Sequence, residues 1–313
     1  MRAGPGYRDI EVRLPAPLDR YGKRTHCRLG GPEGAPVVVA LGGISADRFV
    51  CSGLDGGPGW WPGLIGPRAP FDPGRYRILG LDFAADEEGR FAPNTGEQAQ
   101  VLCAALDAAQ VEAADLVIGA SYGGMVGLAL GETFPERVRR LAIVSAPGEP
   151  WPFSTAMREL QRRAVALGLA GGQGEAGLSI ARGLAMLTYR TPEEFAARFA
   201  GGLDSEEPCA TSAPGAYLRA RGEAYRAVMS PGRFLSLSAS IDRHRIDPTR
   251  IAQPVLLIGA TSDRLVPPEQ MRALADSLPD ARLHLLESLY GHDLFLKEAA
   301  RIAPLIAAFV EES

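Results

Sequence analysis

Short apolar runs, most of them rich in β-branched residues, recur along the chain at 37–41 (VVVAL), 77–81 (RILGL), 116–118 (LVI), 141–144 (LAIV), 255–258 (VLLI) and 282–286 (RLHLL). Hydrophobicity with almost no alternation over so few residues fits strands buried on both faces. Each run is followed by a Gly-rich loop or by residues with helical spacing, so the pattern predicts an α/β fold: a mostly parallel sheet covered by helices. Between the third and fourth runs, the Ala, Leu and Met content of 125–132 predicts a helix that stops before Pro135.

After Ser145-Ala146-Pro147 the texture changes, and from 148 to 247 the chain reads as helices broken by Gly/Pro clusters, with no strand pattern. The expected organisation is therefore a core made of residues 1–147 and 248–313, with 148–247 as a helical lid insertion. Gly-rich joints such as 168–177 would let such a lid move over a site.

Composition narrows the function. With 313 residues, 46% of them hydrophobic, the chain can bury a large core, which excludes a disordered chain and a staple-dependent miniprotein. A formal charge of −4 gives no general attraction to nucleic acid or to an anionic membrane, so small molecules are the expected partners. The cysteines, Cys27, Cys51, Cys103 and Cys209, are far apart and form no CxxC pair. That disfavours a zinc knuckle or disulfide framework and suits a reducing compartment, the cytoplasm. The N-terminal residues lack an apolar h-region, and no run approaches the roughly 18 apolar residues that cross a bilayer. No His/Cys/carboxylate cluster has metal-ligand spacing, so no metal is expected.

The chemistry centres on Gly119-Ala120-Ser121-Tyr122-Gly123, a GxSxG pattern between an apolar strand and an Ala/Leu/Met helix. In that context the serine sits on a sharp turn above the sheet, which nominates Ser121 as a nucleophile. A serine hydroxyl needs a positioned base. Of four histidines, His26 lies in the N-terminal arm, His244 at the arginine-rich end of the insertion, and His284 inside an apolar run where a structural role is expected. His292 follows Tyr290-Gly291 in the loop after the last strand, and is the expected base. Asp263, three residues beyond the 255–260 segment, completes a Ser…Asp…His order and is placed to orient the imidazole. An oxyanion hole needs two backbone N–H groups: one from Tyr122, and one from Ile44 or Gly43 in the loop after the first long strand. Ser45 is expected to hold that turn through its hydroxyl.

These features describe an α/β-hydrolase-fold enzyme, and further segments make the chain resemble the homoserine O-acyltransferases of methionine biosynthesis. The resemblance rests on Gly59-Trp60-Trp61 with Gly63-Leu64-Ile65-Gly66-Pro67, and on Ala120-Ser121-Tyr122-Gly123-Gly124-Met125. It extends through Leu187-Thr188-Tyr189-Arg190-Thr191-Pro192-Glu193-Glu194-Phe195, Asp242-Arg243-His244, Ser262-Asp263-Arg264-Leu265-Val266-Pro267-Pro268 and Gly291-His292-Asp293-Leu294-Phe295. It implies transfer of an acetyl or succinyl group from acetyl-CoA or succinyl-CoA, as co-substrate with no bound cofactor, to the hydroxyl of L-homoserine. It also implies a ping-pong route through an acyl-serine, and a homodimer formed through the insertion. By the same resemblance Arg190 and Asp293 hold the amino acid, the guanidinium on its carboxylate and the carboxylate on its ammonium. The competing structural reading of Arg190 is an ion pair with Glu193 or Glu194.

Two departures stand out. Tyr122 occupies a position where the family usually has methionine, which places a phenol near the expected acyl pocket, and 82–90 (DFAADEEGR) replaces a Gly/Ser/Thr-rich stretch. Both bear on the choice of donor and acceptor, and serine in place of homoserine is an open alternative. An esterase or thioesterase would need the same triad without the amino-acid clamp, and a catalytically silent binding module would be expected to lack a triad member.

Overall fold

The computed structural model of the chain describes residues 6–51 and 59–312. Two strands come first, β1 (Tyr7–Arg13) and β2 (Arg24–Gly30). All six apolar runs then appear as strands: β3 (Val37–Leu41), β4 (Arg77–Leu81), β5 (Leu116–Ala120), β6 (Leu141–Val144), β7 (Val255–Ala260) and β8 (Ala281–Leu286). They form one sheet in the order β1-β2-β4-β3-β5-β6-β7-β8. From β4 to β8 every pairing is parallel, while β1–β2 and β2–β4 are antiparallel. Every residue of β3, β5, β6 and β7 is buried, which is why those strands carry no polar alternation.

Ten α-helices accompany the sheet among the described residues. α1 (Thr95–Ala108) and α2 (Tyr122–Thr133) pack on one face, where Leu102, Leu106, Val126 and Leu130 join Val39 and Val117 in the larger core. α2 begins three residues before the predicted helix, directly behind Ser121, because the turn of the GxSxG motif is itself the helix start. Between β6 and β7 run five helices: α3 (Pro152–Ala170), α4 (Gly174–Tyr189), α5 (Pro192–Arg198), α6 (Ala213–Tyr225) and α7 (Pro231–Asp242). Their Pro-rich breaks are helix starts: Thr191, Ser212 and Ser230 each cap a helix whose first turn holds a proline. α8 (Pro268–Ser277) follows β7, and α9 (Leu294–Lys297) and α10 (Ala299–Glu311) close the second face, where Ile302, Ile306 and Phe309 pack with Trp61 and Phe71.

The glycine-rich stretch between α3 and α4 is closely packed at its two ends. A Cβ on Gly168 would lie 2.6 Å from the Gln173 carbonyl oxygen, and one on Gly177 would lie 2.5 Å from that of Ala164. These two glycines bring α3 and α4 together, whereas a Cβ on Gly172 between them would meet open space.

Candidate active site

β5 ends at Ala120 and α2 starts at Tyr122, leaving Ser121 alone on the turn with φ 53° and ψ −120°. That strained conformation costs free energy, and the surrounding contacts impose it. The Ser121 N–H donates to Val144 O at 2.8 Å, and the Gly123 N–H donates to Gly42 O at 2.8 Å. A side chain at 119 or 123 is sterically forbidden: a Cβ on Gly119 would sit 2.5 Å from Gly123 O, and one on Gly123 would sit 2.4 Å from Leu41 O.

The structure brings Ser121, His292 and Asp263 together in one row. His292 Nε2 lies 2.9 Å from Ser121 Oγ, and its Nδ1 lies 2.8 Å from Asp263 Oδ2. The other Asp263 oxygen, Oδ1, accepts the backbone N–H groups of Leu265 (2.8 Å) and Val266 (3.0 Å), which fixes the carboxylate. His292 stands on a short turn that Gly291 enters with φ 57°, a left-handed conformation suited to glycine. Both acid and base are buried, at 3% and 4% exposure. Burial works against a charged imidazole, but the Asp263 carboxylate outweighs it by charge and by hydrogen bond, so the His292 pKa is raised above its ordinary 6.5. A neutral imidazole that donates Nδ1–H to the carboxylate leaves Nε2 free to accept the serine proton.

The loop after β3 reaches the start of α2 through the Gly123–Gly42 bond, and Ile44 of that loop lines the cavity above Ser121. As the first residue of α2, Tyr122 has no intrahelical partner for its N–H. The Tyr122 phenol does not enter the cavity above Ser121. It points into the interior, edge-on to Phe83 at 4.8 Å and hydrogen-bonded to Ser240 at 2.5 Å. Nor does the Ser45 hydroxyl tie its own turn: it reaches Tyr225 OH of α6 at 3.2 Å.

Arg190 and Asp293, expected to hold the two ends of the amino acid, hold each other here: Arg190 Nε donates to Asp293 Oδ2 at 2.7 Å, both are buried at 7% exposure, and neither is among the residues that line the cavity above Ser121. Arg190 Nη1 also contacts Glu194 Oε1 at 3.3 Å, and its guanidinium lies over the Tyr290 ring at 5.6 Å. The ion pair weighed as the structural alternative therefore exists beside the other. The cavity above Ser121 is narrow, about 50 Å³, and its wall includes Ile44, Trp151, Arg158, Tyr189, Ile241 and His292. Of the functional candidates, Arg158 was not foreseen. It lies on α3, and its place beside Ser121 depends on how the helices between β6 and β7 fold back, which no spacing in the sequence encodes. Arg158 and Arg162 share the Asp242 carboxylate, each at 2.6 Å, so this part of the wall carries a net positive charge.

The other three histidines stand apart from the row. His284 is exposed on β8, contrary to the structural role expected for it, and His26 is half-buried on β2. His244 is fully buried among Thr95 and Pro147. Among the described residues no group of three or more His, Cys, Asp or Glu is arranged to hold a metal ion, and no helix is long and apolar enough to cross a membrane.

Residues 36–299 match the family of the alpha/beta hydrolase fold. Over 302 residues the chain is 39% identical to a homoserine O-succinyltransferase of Xanthomonas campestris pv. campestris, covering 95% of this chain and 82% of that protein. The chain belongs to the homoserine O-acyltransferase family. It is also 30% identical to a homoserine O-acetyltransferase of Thermus thermophilus, covering 82% of this chain and 73% of that one. Among solved structures, esterase E22 superposes with a TM-score of 0.85 at 18% identity, covering 98% of this chain and 100% of that one, a likeness of fold alone.

Proposed function

We propose that this homoserine O-acyltransferase moves a succinyl group from succinyl-CoA to the hydroxyl of L-homoserine by a ping-pong route through an acyl-Ser121. His292 takes the Ser121 proton as the oxygen attacks the thioester carbonyl, and the backbone N–H groups of Tyr122 and Ile44 receive the oxyanion. The tetrahedral adduct collapses, the C–S bond breaks, and His292 returns the proton to the departing thiolate as coenzyme A. Homoserine then enters. His292 deprotonates its hydroxyl, the new C–O bond forms, and collapse gives the O-acyl amino acid while the proton goes back to Ser121.

The observation that carries this reading is the row of Ser121, buried His292 and buried Asp263 beneath a cavity whose wall includes a guanidinium. The net charge of the Arg158, Arg162 and Asp242 trio favours an acyl group that ends in a carboxylate over a bare acetyl, and the 39% identical relative is named for succinyl transfer. The neighbouring Arg190–Asp293 pair offers opposite charges 2.7 Å apart, which suits the two ends of an amino-acid zwitterion. Exposed Leu160, Leu167, Leu169 and Ile180 on α3 and α4 support association of two copies through the insertion.

The test is thiol release from acetyl-CoA and succinyl-CoA, each with L-homoserine, L-serine or no acceptor, in wild type, Ser121→Ala and Arg190→Ala. Expected is release that requires succinyl-CoA plus homoserine, vanishes without Ser121, and needs far more homoserine without Arg190. Equal release without an acceptor overturns transfer in favour of a thioesterase.

A further inference from the structure

Tyr122 belongs to two parts of the molecule. Its backbone opens α2 immediately behind Ser121, whereas its phenol crosses to the insertion and meets Ser240 Oγ on α7 at 2.5 Å. Both residues are completely buried, at 0% exposure. The Phe83 ring packs edge-on against the phenol. The same α7 contributes Phe234, Ser238 and Ile241 to the cavity wall above Ser121. One side chain thus ties the residue behind the nucleophile to the helix that walls the site.

We infer that the Tyr122–Ser240 hydrogen bond is a positioning strut: it holds the oxyanion-binding backbone of Tyr122 at a fixed spacing from α7. The inference rests on Ser121 as nucleophile and the Tyr122 N–H as oxyanion donor. A buried hydroxyl pair away from water is expensive to leave unmade, so it fixes the separation of the two elements that carry it. α7 has other polar anchors, but they face elsewhere. Ser236 Oγ accepts the Asp86 N–H at 3.1 Å, and Arg233 Nη2 donates to Phe83 O at 2.8 Å. These keep the helix docked on the 83–86 segment, whereas Tyr122–Ser240 is the anchor that reaches the nucleophile turn. Losing it should therefore leave the fold assembled and blur the donor geometry, and oxyanion stabilisation falls steeply with sub-ångström misplacement. The two departures from the family pattern also meet here, because Phe83, from the replaced 82–90 segment, packs on Tyr122, the residue that stands in for methionine.

The experiment measures p-nitrophenyl acetate turnover and thiol release from succinyl-CoA with L-homoserine per titrated active site in wild type, Tyr122→Phe, Ser240→Ala, the double variant and Ser240→Thr. A strut predicts that Tyr122→Phe and Ser240→Ala each lower kcat and kcat/KM together by on the order of tenfold, with KM held, as befits an interaction used in the transition state. The double variant should be no slower than either single, and Ser240→Thr, which keeps the hydroxyl, should retain most of the rate. Unchanged kcat in the single variants, even with a lowered Tm, overturns the inference, as does a double variant whose loss is the product of the two singles. Failure of the acyltransfer reading shows separately, as wild type that turns over the nitrophenyl ester but releases no thiol from any acyl-CoA.

Discussion

Protonation of His244 should destabilise the folded protein along a predictable curve. Its Nε2 lies 3.0 Å from Pro147 O, which can only accept, so Nε2 carries the proton and Nδ1 accepts from the Thr95 hydroxyl at 2.7 Å. The neutral ring is thus fully satisfied in a site with 0% exposure. Burial disfavours the cation, as does nearby Arg245, and the pKa falls from 6.5 to about 4 although the Pro147 carbonyl opposes the fall. The unfolded chain therefore binds this proton more readily than the folded one. The stabilisation is complete above the unfolded value of 6.5 and is lost as pH falls toward the folded value. Linkage gives a loss of roughly 2 kcal/mol by about pH 5 and about 3 kcal/mol by about pH 4. His244→Gln keeps a donor for Pro147 but cannot be charged. It should cost about 1 kcal/mol at neutral pH, where an unpaired Thr95 hydroxyl is the main penalty, and become the more stable protein below roughly pH 5 to 6. Urea unfolding of both proteins across this range measures the difference. The depressed carboxylates of Asp9 and Asp86 and the raised His292 are common to both and cancel. A stability gap that does not change with pH would refute the reasoning.

Two predictions concern the site. The His292 pKa is raised, and only the neutral ring can take the serine proton, so the acid limb of kcat/KM should lie above 6.5, with activity falling as pH drops through it. Asp263→Asn should move that limb downward and cost roughly 10³ to 10⁴ in kcat, whereas a limb that stays in place would assign the raised pKa to another group. Arg158→Leu should raise KM for succinyl-CoA by roughly 10- to 100-fold, the worth of one charge-assisted hydrogen bond, and leave acetyl-CoA within about threefold. An equal rise for both donors would place the donor carboxylate elsewhere.

What the sequence disclosed follows from how local each signal is. β3, β5, β6 and β7 were legible because strands buried on both faces are apolar throughout, and the Ser121 turn was legible because its glycines answer a backbone clash a few residues away. β1 and β2 were not. Only part of each is buried, and they join through pairs such as Asp9 with Arg28 at 2.7 Å, so their residues look like ordinary polar chain. His292 and Asp263 could be placed by loop position after a strand. The directions of the Tyr122 phenol and of the Ser45 hydroxyl could not, because both are set by α6 and α7, which arrive from about a hundred or more residues away in the chain. Arg158 was hidden because its place at the cavity depends on how α3 folds back over Ser121. Arg190 and Asp293 were singled out only through likeness to a family, and their bond to each other was not foreseen, since nothing in the spacing of residues 190 and 293 announces contact.

The fold leaves open the choice between transfer and hydrolysis, because esterase E22 shares it. A transferase must deny water the position that its acceptor will take on the acyl-serine. Here the His292 ring is covered on one side by Tyr189, stacked at 5.8 Å, and met by the edge of Phe295 at 6.2 Å, within a cavity of only about 50 Å³. These rings crowd the side of the base from which water would approach, and an amino acid that enters displaces the water it meets there. Tyr189 is the removable part of this wall, because neither Ser121 nor Asp263 hydrogen-bonds to it. Tyr189→Ala should therefore raise acceptor-independent thiol release relative to transfer, by about tenfold if the ring is the main barrier to water. An unchanged ratio, with transfer merely slower, would mean that the acceptor wins by its own positioning on Arg190 and Asp293 and that the ring only orients the base.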